Sequence, residues 1–136
     1  MILLYHDISI EIIGCFYHVY NVLGYGFLEK VYENALAMEL RKQGFLVQQQ
    51  APVIVYYDEA VVGEYFADLI VENKIILELK TAEAISEAHK VQLLNYLKAS
   101  QIQVDYILNF GSKATFERRV FTKTPTKPKR NPRKSA

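Results

Sequence analysis

The chain has 136 residues, 51% of them hydrophobic and 23% charged, with a net charge of +1; this suits one domain with its own core. Its single cysteine excludes an intramolecular disulfide and a cysteine-rich zinc site. No apolar run reaches the ~18 residues that span a bilayer, and Met1-Ile2-Leu3-Leu4-Tyr5-His6-Asp7 lacks the basic stretch of a signal peptide, so a soluble, cytoplasmic protein with no membrane association is expected.

Apolar residues Ile10, Ile13, Phe16, Tyr17 and Tyr20 recur at helical spacing over 6–22. Cys15 in this stretch reads as a small buried hydrophobe. Gly24 and Gly26 break the pattern, and a second helix starts near Phe27 with Leu28, Val31, Tyr32, Ala35, Leu36 and Leu40 as its stripe. Arg41 and Lys42 suit its C-terminal dipole, and Gly44 suits a left-handed residue after its end. Strands are expected over 45–50 and 53–57, split at Pro52, then a turn at Asp58-Glu59-Ala60. Two further strands, 62–71 and 75–80, are joined by Glu72-Asn73-Lys74. Helical spacing returns over 84–99, with Ile85, Ala88, Val91, Leu94 and Leu97 as the stripe. Residues 104–110 read as a buried strand, Gly111-Ser112-Lys113 as a turn, and 116–121 as an edge strand. Most tyrosines, Tyr17, Tyr20 and Tyr106 among them, fall on apolar stripes; Tyr56 and Tyr57 point to opposite faces, which leaves one of them exposed.

Charge divides the chain. Residues 122–136 carry Lys123, Lys127, Lys129, Arg130, Arg133 and Lys134 with no acid, and three of the four prolines. The remaining 121 residues carry 10 Lys and Arg against 15 Asp and Glu. The expected organisation is a domain over 1–121 and a basic, disordered tail over 122–136. The tail is either an electrostatic arm for nucleic acid or an extension without a role.

The segment from Phe66 to Lys80 holds the chemistry. With the turn centred on Asn73, Val71 faces Ile75, Leu69 faces Leu77 and Asp68 faces Glu78. Strand alternation then puts Leu69, Val71, Ile75, Leu77 and Leu79 on one face and Asp68, Ile70, Ile76, Glu78 and Lys80 on the other. Two carboxylates face each other in an apolar sheet, which is destabilising without a neutralising partner. A divalent cation supplies one, because hard cations such as Mg²⁺ prefer carboxylate oxygens. It would also lower the pKa of a water and stabilise charge on a phosphodiester. The alternative is that Lys80 simply pairs with both acids. Glu29, Tyr32 and Glu33 share a helix face, where Glu29 can also serve only the helix dipole. His89, Gln92 and Tyr96 form a polar stripe that is otherwise an ordinary solvated face.

Gly26-Phe27-Leu28-Glu29-Lys30-Val31-Tyr32 resembles the signature of the GxxExxY proteins, a family placed in the PD-(D/E)XK nuclease superfamily. The resemblance runs from about Ile8 to Phe121. It includes Gly63-Glu64-Tyr65-Phe66-Ala67-Asp68, Ile76-Leu77-Glu78-Leu79-Lys80, Gln92-Leu93-Leu94-Asn95-Tyr96-Leu97-Lys98 and Asn109-Phe110-Gly111. It implies a restriction-endonuclease-like α/β fold, a mixed central sheet flanked by helices. It further implies metal ligands at Asp68, Glu78 and Glu29, a catalytic lysine at Lys80, and a Gln-x-x-x-Tyr motif at Gln92 and Tyr96 that helps place the substrate strand. The proline that names the superfamily is absent before Asp68. The implied activity is hydrolysis of phosphodiester bonds with Mg²⁺ or Mn²⁺, the partner being nucleic acid, foremost DNA. A binding protein or accessory subunit that keeps the fold is the competing expectation; the acidic body favours it by opposing an extensive phosphate footprint. The edge strand at 116–121 leaves room for a homodimer.

Overall fold

The computed structural model describes residues 4–83 and 86–121. Two helices come first, α1 (His6–Leu23) and α2 (Glu29–Lys42). Strands β1 (Val47–Tyr57), β2 (Ala60–Val71) and β3 (Ile75–Lys80) follow, then α3 (Glu87–Ser100), β4 (Val104–Phe110) and β5 (Ala114–Val120). The strands form one sheet in the order β1-β2-β3-β4-β5. All neighbours are antiparallel except β3 and β4, which are parallel and are connected through α3. This is the mixed sheet flanked by helices expected of a restriction-endonuclease-like α/β fold.

Local chemistry accounts for the boundaries. Asp58 and Glu59 have φ of 51° and 67°, and Tyr57 pairs with Ala60; two left-handed residues in a two-residue loop make a hairpin turn that matches strand twist. Glu72 and Asn73, both at φ 55°, turn β2 into β3. Gly44 follows α2 at φ 91°, and Arg41 and Lys42 lie in the last turn. Ser86 caps α3 by accepting the His89 N–H at 3.1 Å. Every residue of β4 is buried, as expected for a strand with neighbours on both edges and helices on both faces.

The sheet has two unequal faces. Against α1 and α2 lies the main core: Ile12, Phe16, Val19, Tyr32, Leu36 and Leu40 pack on Leu69, Val71, Ile75, Leu77, Leu79 and Phe110. Phe110 stacks on Tyr32 at 4.4 Å and meets Phe16 edge-on at 4.8 Å. Against α3 lies a smaller cluster of Ala51, Val53, Ala67, Ile70, Ile76 and Leu97.

Several expectations change. Residues 47–57 form one strand, not two; Pro52 is exposed on the edge strand β1, where its missing N–H is tolerated. Helix faces are rotated from the expected stripes. On α1 the buried residues are Ser9, Ile12, Cys15, Phe16 and Val19, while Ile10 and Tyr17 are exposed. On α2, Leu28 and Val31 are exposed whereas Glu33 and Ala37 are buried. On α3, Leu93 and Leu97 are buried but Val91 is 57% exposed. The sheet beneath α3 presents charged groups, so half-buried His89, Lys90 and Tyr96 share its inner side. Ile85 and the 122–136 tail lie outside the described residues. Tyr56 and Tyr57 are both exposed at the hairpin tip. Ala67 packs with the α3 cluster although it has the parity of Leu69, which packs on the other side. The alternation breaks opposite Asp68, where Gln50 has a left-handed φ of 51°.

Candidate active site

The β2–β3 ladder pairs Leu69 with Leu77, Ile70 with Ile76 and Val71 with Ile75, the register expected from a turn centred on Asn73. Beyond Leu77 the Asp68 side chain takes over: its Oδ2 accepts the Leu79 N–H at 2.8 Å. Its Oδ1 accepts from Gln50 Nε2 at 3.3 Å. Asp68 therefore stands where β2 and β3 part, beside Glu78.

Glu78 is 3% exposed. Burial pushes its carboxyl well above the usual carboxylate range, and the Asp68 charge adds to this; Tyr65 and Lys80 pull the other way. The Tyr65 hydroxyl donates to Glu78, and burial together with the Glu78 charge drives its own pKa far upward. Glu29, at the start of α2, is raised first by burial and then by Asp68, with Lys80 and His89 opposing. Asp68 and Lys80 thus act on both Glu29 and Glu78. Lys80 is half-buried and forms no ion pair within 4.0 Å among the described residues. It is not locked onto either acid.

Tyr96 reaches this group through an aromatic contact. Its ring stacks on Tyr65 at 4.1 Å with 13° between planes. Gln92, one turn earlier on α3, is exposed. Behind the site, Asp105 is 1% exposed, and its carboxylate accepts the Arg119 Nε at 2.9 Å. Burial raises the Asp105 carboxyl and Arg119 opposes the rise. Arg119 also donates to the Lys90 carbonyl, so this pair ties α3 to β4 and β5.

Among the described residues no three His, Cys, Asp or Glu side chains are gathered closely enough to hold a metal ion. Glu29, Asp68 and Glu78 share one field without forming a closed cage. The donor chemistry still fits a hard divalent cation: Asp68 and Glu78 are carboxylates near enough for the Asp68 charge to raise the Glu78 pKa, and burial disfavours the charged form of Glu78.

Five further residues, none of them given a role in the expected site, complete the surroundings. Tyr65 links Glu78 to Tyr96. Glu33 is buried at 3% exposure and takes both Gln50 Nε2 at 2.6 Å and Gln49 Nε2 at 2.8 Å. Asn109 sits beside Lys80 in the β3–β4 register. Its amide accepts the Ala82 N–H at 3.0 Å and donates to the Ala82 carbonyl at 2.7 Å, fixing the chain as it leaves Lys80. Gly111 lets that loop approach, because a Cβ there would lie 2.6 Å from the Ala82 oxygen. Tyr20 closes the arrangement by donating to the Gly111 carbonyl at 2.8 Å. Glu33 had a local sign, its i+4 spacing from Glu29; Tyr65, Asn109 and Gly111 fall in segments that carry the family resemblance, but the contact of Asn109 with Ala82, 27 residues away, had no local sign.

A family model described as the PD-(D/E)XK nuclease superfamily matches residues 6–120, and every residue of the candidate site lies within the match. No curated protein matches significantly, and no solved structure does. Among the described residues no helix is long and apolar enough to cross a membrane.

Proposed function

The chain belongs to the PD-(D/E)XK nuclease superfamily, and on that premise we propose that it is a divalent-metal-dependent nuclease of the GxxExxY type that hydrolyses phosphodiester bonds in DNA. The observation that carries the proposal is the coupling of Asp68 and Lys80 to the buried Glu78, with the Lys80 ammonium in no ion pair with either acid among the described residues. Asp68 and Glu78 hold Mg²⁺ or Mn²⁺, with Glu29 as a third carboxylate from α2. The bound cation supplies positive charge against the phosphodiester and a more acidic water. Lys80 stands beside the scissile phosphate and stabilises the negative charge that builds on it. Tyr65 holds Glu78 through its hydroxyl. Tyr96 backs Tyr65, and Gln92, exposed on the same helix, is available to a substrate strand. Residues 1–121 form the nuclease domain, and the basic 122–136 segment adds salt-sensitive affinity for the phosphate backbone. The protein acts in the cytoplasm, and pairing of two copies through β5 is compatible with an accessible site.

The acidic body, together with the absence of a three-acid cluster among the described residues, favours a second reading, a nucleic-acid-binding or accessory subunit that keeps the fold. Purified protein incubated with linear and circular, single- and double-stranded DNA, and with RNA, separates the two. Cleavage of DNA with Mg²⁺ or Mn²⁺ that EDTA abolishes is the expected result. Binding without cleavage under every condition favours the second reading.

A further inference from the structure

Gln49 and Gln50 are consecutive on β1, and consecutive strand residues point to opposite faces. Here both amides reach one carboxylate. Gln49 Nε2 donates to Glu33 Oε2 at 2.8 Å, and Gln50 Nε2 donates to Glu33 Oε1 at 2.6 Å. The convergence depends on the backbone, because Gln50 has φ 51°, a left-handed conformation that non-glycine residues seldom take inside a strand. Lys30 Nζ, 3.0 Å from Glu33 Oε2, completes the satisfaction of this buried acid.

A primary amide carries two donor protons. With Glu33 taking one, the Gln50 amide also reaches Asp68 Oδ1 at 3.3 Å. The other Asp68 oxygen accepts the Leu79 N–H at 2.8 Å. Asp68 thus receives one donor per oxygen, one from β1 and one from β3, and the two together set the plane of its carboxylate. A left-handed glutamine and a buried glutamate each carry a cost, and both stand at this one point of the sheet.

We infer that Gln50, held by Glu33, is a positioning residue that orients the Asp68 carboxylate for a divalent cation, an inference that rests on the nuclease reading above. Three variants of the full chain test it: Gln50→Gly, Glu33→Gln and the double variant. Glycine accepts the left-handed backbone, so Gln50→Gly removes the amide without adding strain. Glu33→Gln keeps the shape and removes the charge. Mn²⁺ alone is the probe, with free Mn²⁺ followed by electron paramagnetic resonance and folding checked by thermal melting. Each single variant is expected to bind Mn²⁺ about 10–100-fold more weakly, and the double variant no more weakly than the worse single, since the two residues act as one unit. The Mn²⁺ concentration for half-maximal DNA cleavage should rise by the same factor. A purely structural role lowers the melting temperature and leaves the Mn²⁺ affinity of the folded protein unchanged. Parent-like affinity in either single variant overturns the inference while the nuclease reading stands. A parent protein that neither binds Mn²⁺ nor cuts DNA overturns both.

Discussion

The two faces of the sheet are built from the same strands and do different work. On the α1–α2 side, β3 contributes Ile75, Leu77 and Leu79 to a core that includes Phe16, Tyr32, Leu36 and Phe110. On the α3 side the same strand contributes Ile76, Glu78 and Lys80, beside a smaller apolar cluster. Buried polar groups collect there as well: Glu78, Asp105 and Asn109. One face removes apolar area from water and so holds the fold together. The other keeps charges partly desolvated, where they interact more strongly than in water. Alternation along a strand lets six residues serve both ends at once.

The division can be broken by mutation. The largest effect on folding is expected on the α1–α2 side. Phe16→Ala removes a fully buried ring that meets Phe110 at 4.8 Å and should cost about 3–5 kcal/mol in denaturant unfolding. The molecules that remain folded should cut DNA at the parent rate. A normal unfolding midpoint would show that the aromatic cluster is not the keystone of the core.

Asn109→Ala sharpens the comparison, because Asn109 lies on the chemical side yet has a structural duty. Its loss leaves both polar groups of the Ala82 peptide without their partner. About 1–3 kcal/mol of stability should go with it, together with a fall in cleavage rate as the Lys80–Ala82 segment loosens. Stability lost at an unchanged rate would separate that loop from the site.

A smaller effect concerns pH. Glu78 has a folded-state pKa raised above its ordinary 4.5, chiefly by burial. In the metal-free protein its contribution to stability is therefore fully present below that ordinary value and is lost as pH rises through the folded one. Glu78→Gln cannot ionise, so its melting temperature should decline less than the parent's as pH is raised from about 4.5 to neutrality. Parallel melting curves for the two proteins would mean that Glu78 is not desolvated as described.

The β2–β3 hairpin was the most legible part of the molecule. A three-residue turn with Asn73 at its centre fixes the register, and the register fixes which side chains share a face. Cys15, the buried β4 and the edge strand β5 were legible for similar reasons, since each rests on a local run of residue types. The helix faces were legible only in part: Phe16, Tyr32, Leu36, Leu40 and Leu97 are buried as expected, but other stripe residues are not. α1 carries apolar residues around much of its circumference, so periodicity admits both an Ile10–Tyr17 stripe and the Ile12–Phe16–Val19 stripe that is buried; the packing of α1 on α2 and the sheet decides. On α3 the sheet beneath is charged, and a stripe drawn through hydrophobic residues misplaces Val91. In the candidate site, strand alternation, a local rule, pointed to Asp68, Glu78 and Lys80 as neighbours, although the ladder ends at Leu69 and Leu77 and does not pair Asp68 with Glu78. Glu33, Gln50 and Asn109 act through contacts distant in sequence, and Gln50 turns left-handed without being the glycine or asparagine that would announce it.

The central claim is that the Asp68–Glu78–Lys80 face performs chemistry and does not merely satisfy its own charges. Cleavage of linear DNA at saturating Mg²⁺ by the parent and by Lys80→Ala, each normalised to its folded fraction from a melting curve, tests it most directly. Lys80 has no close ion pair among the described residues to lose, so the variant should melt near the parent and cut about 10²–10³-fold more slowly. Equal cutting by both proteins would contradict the claim.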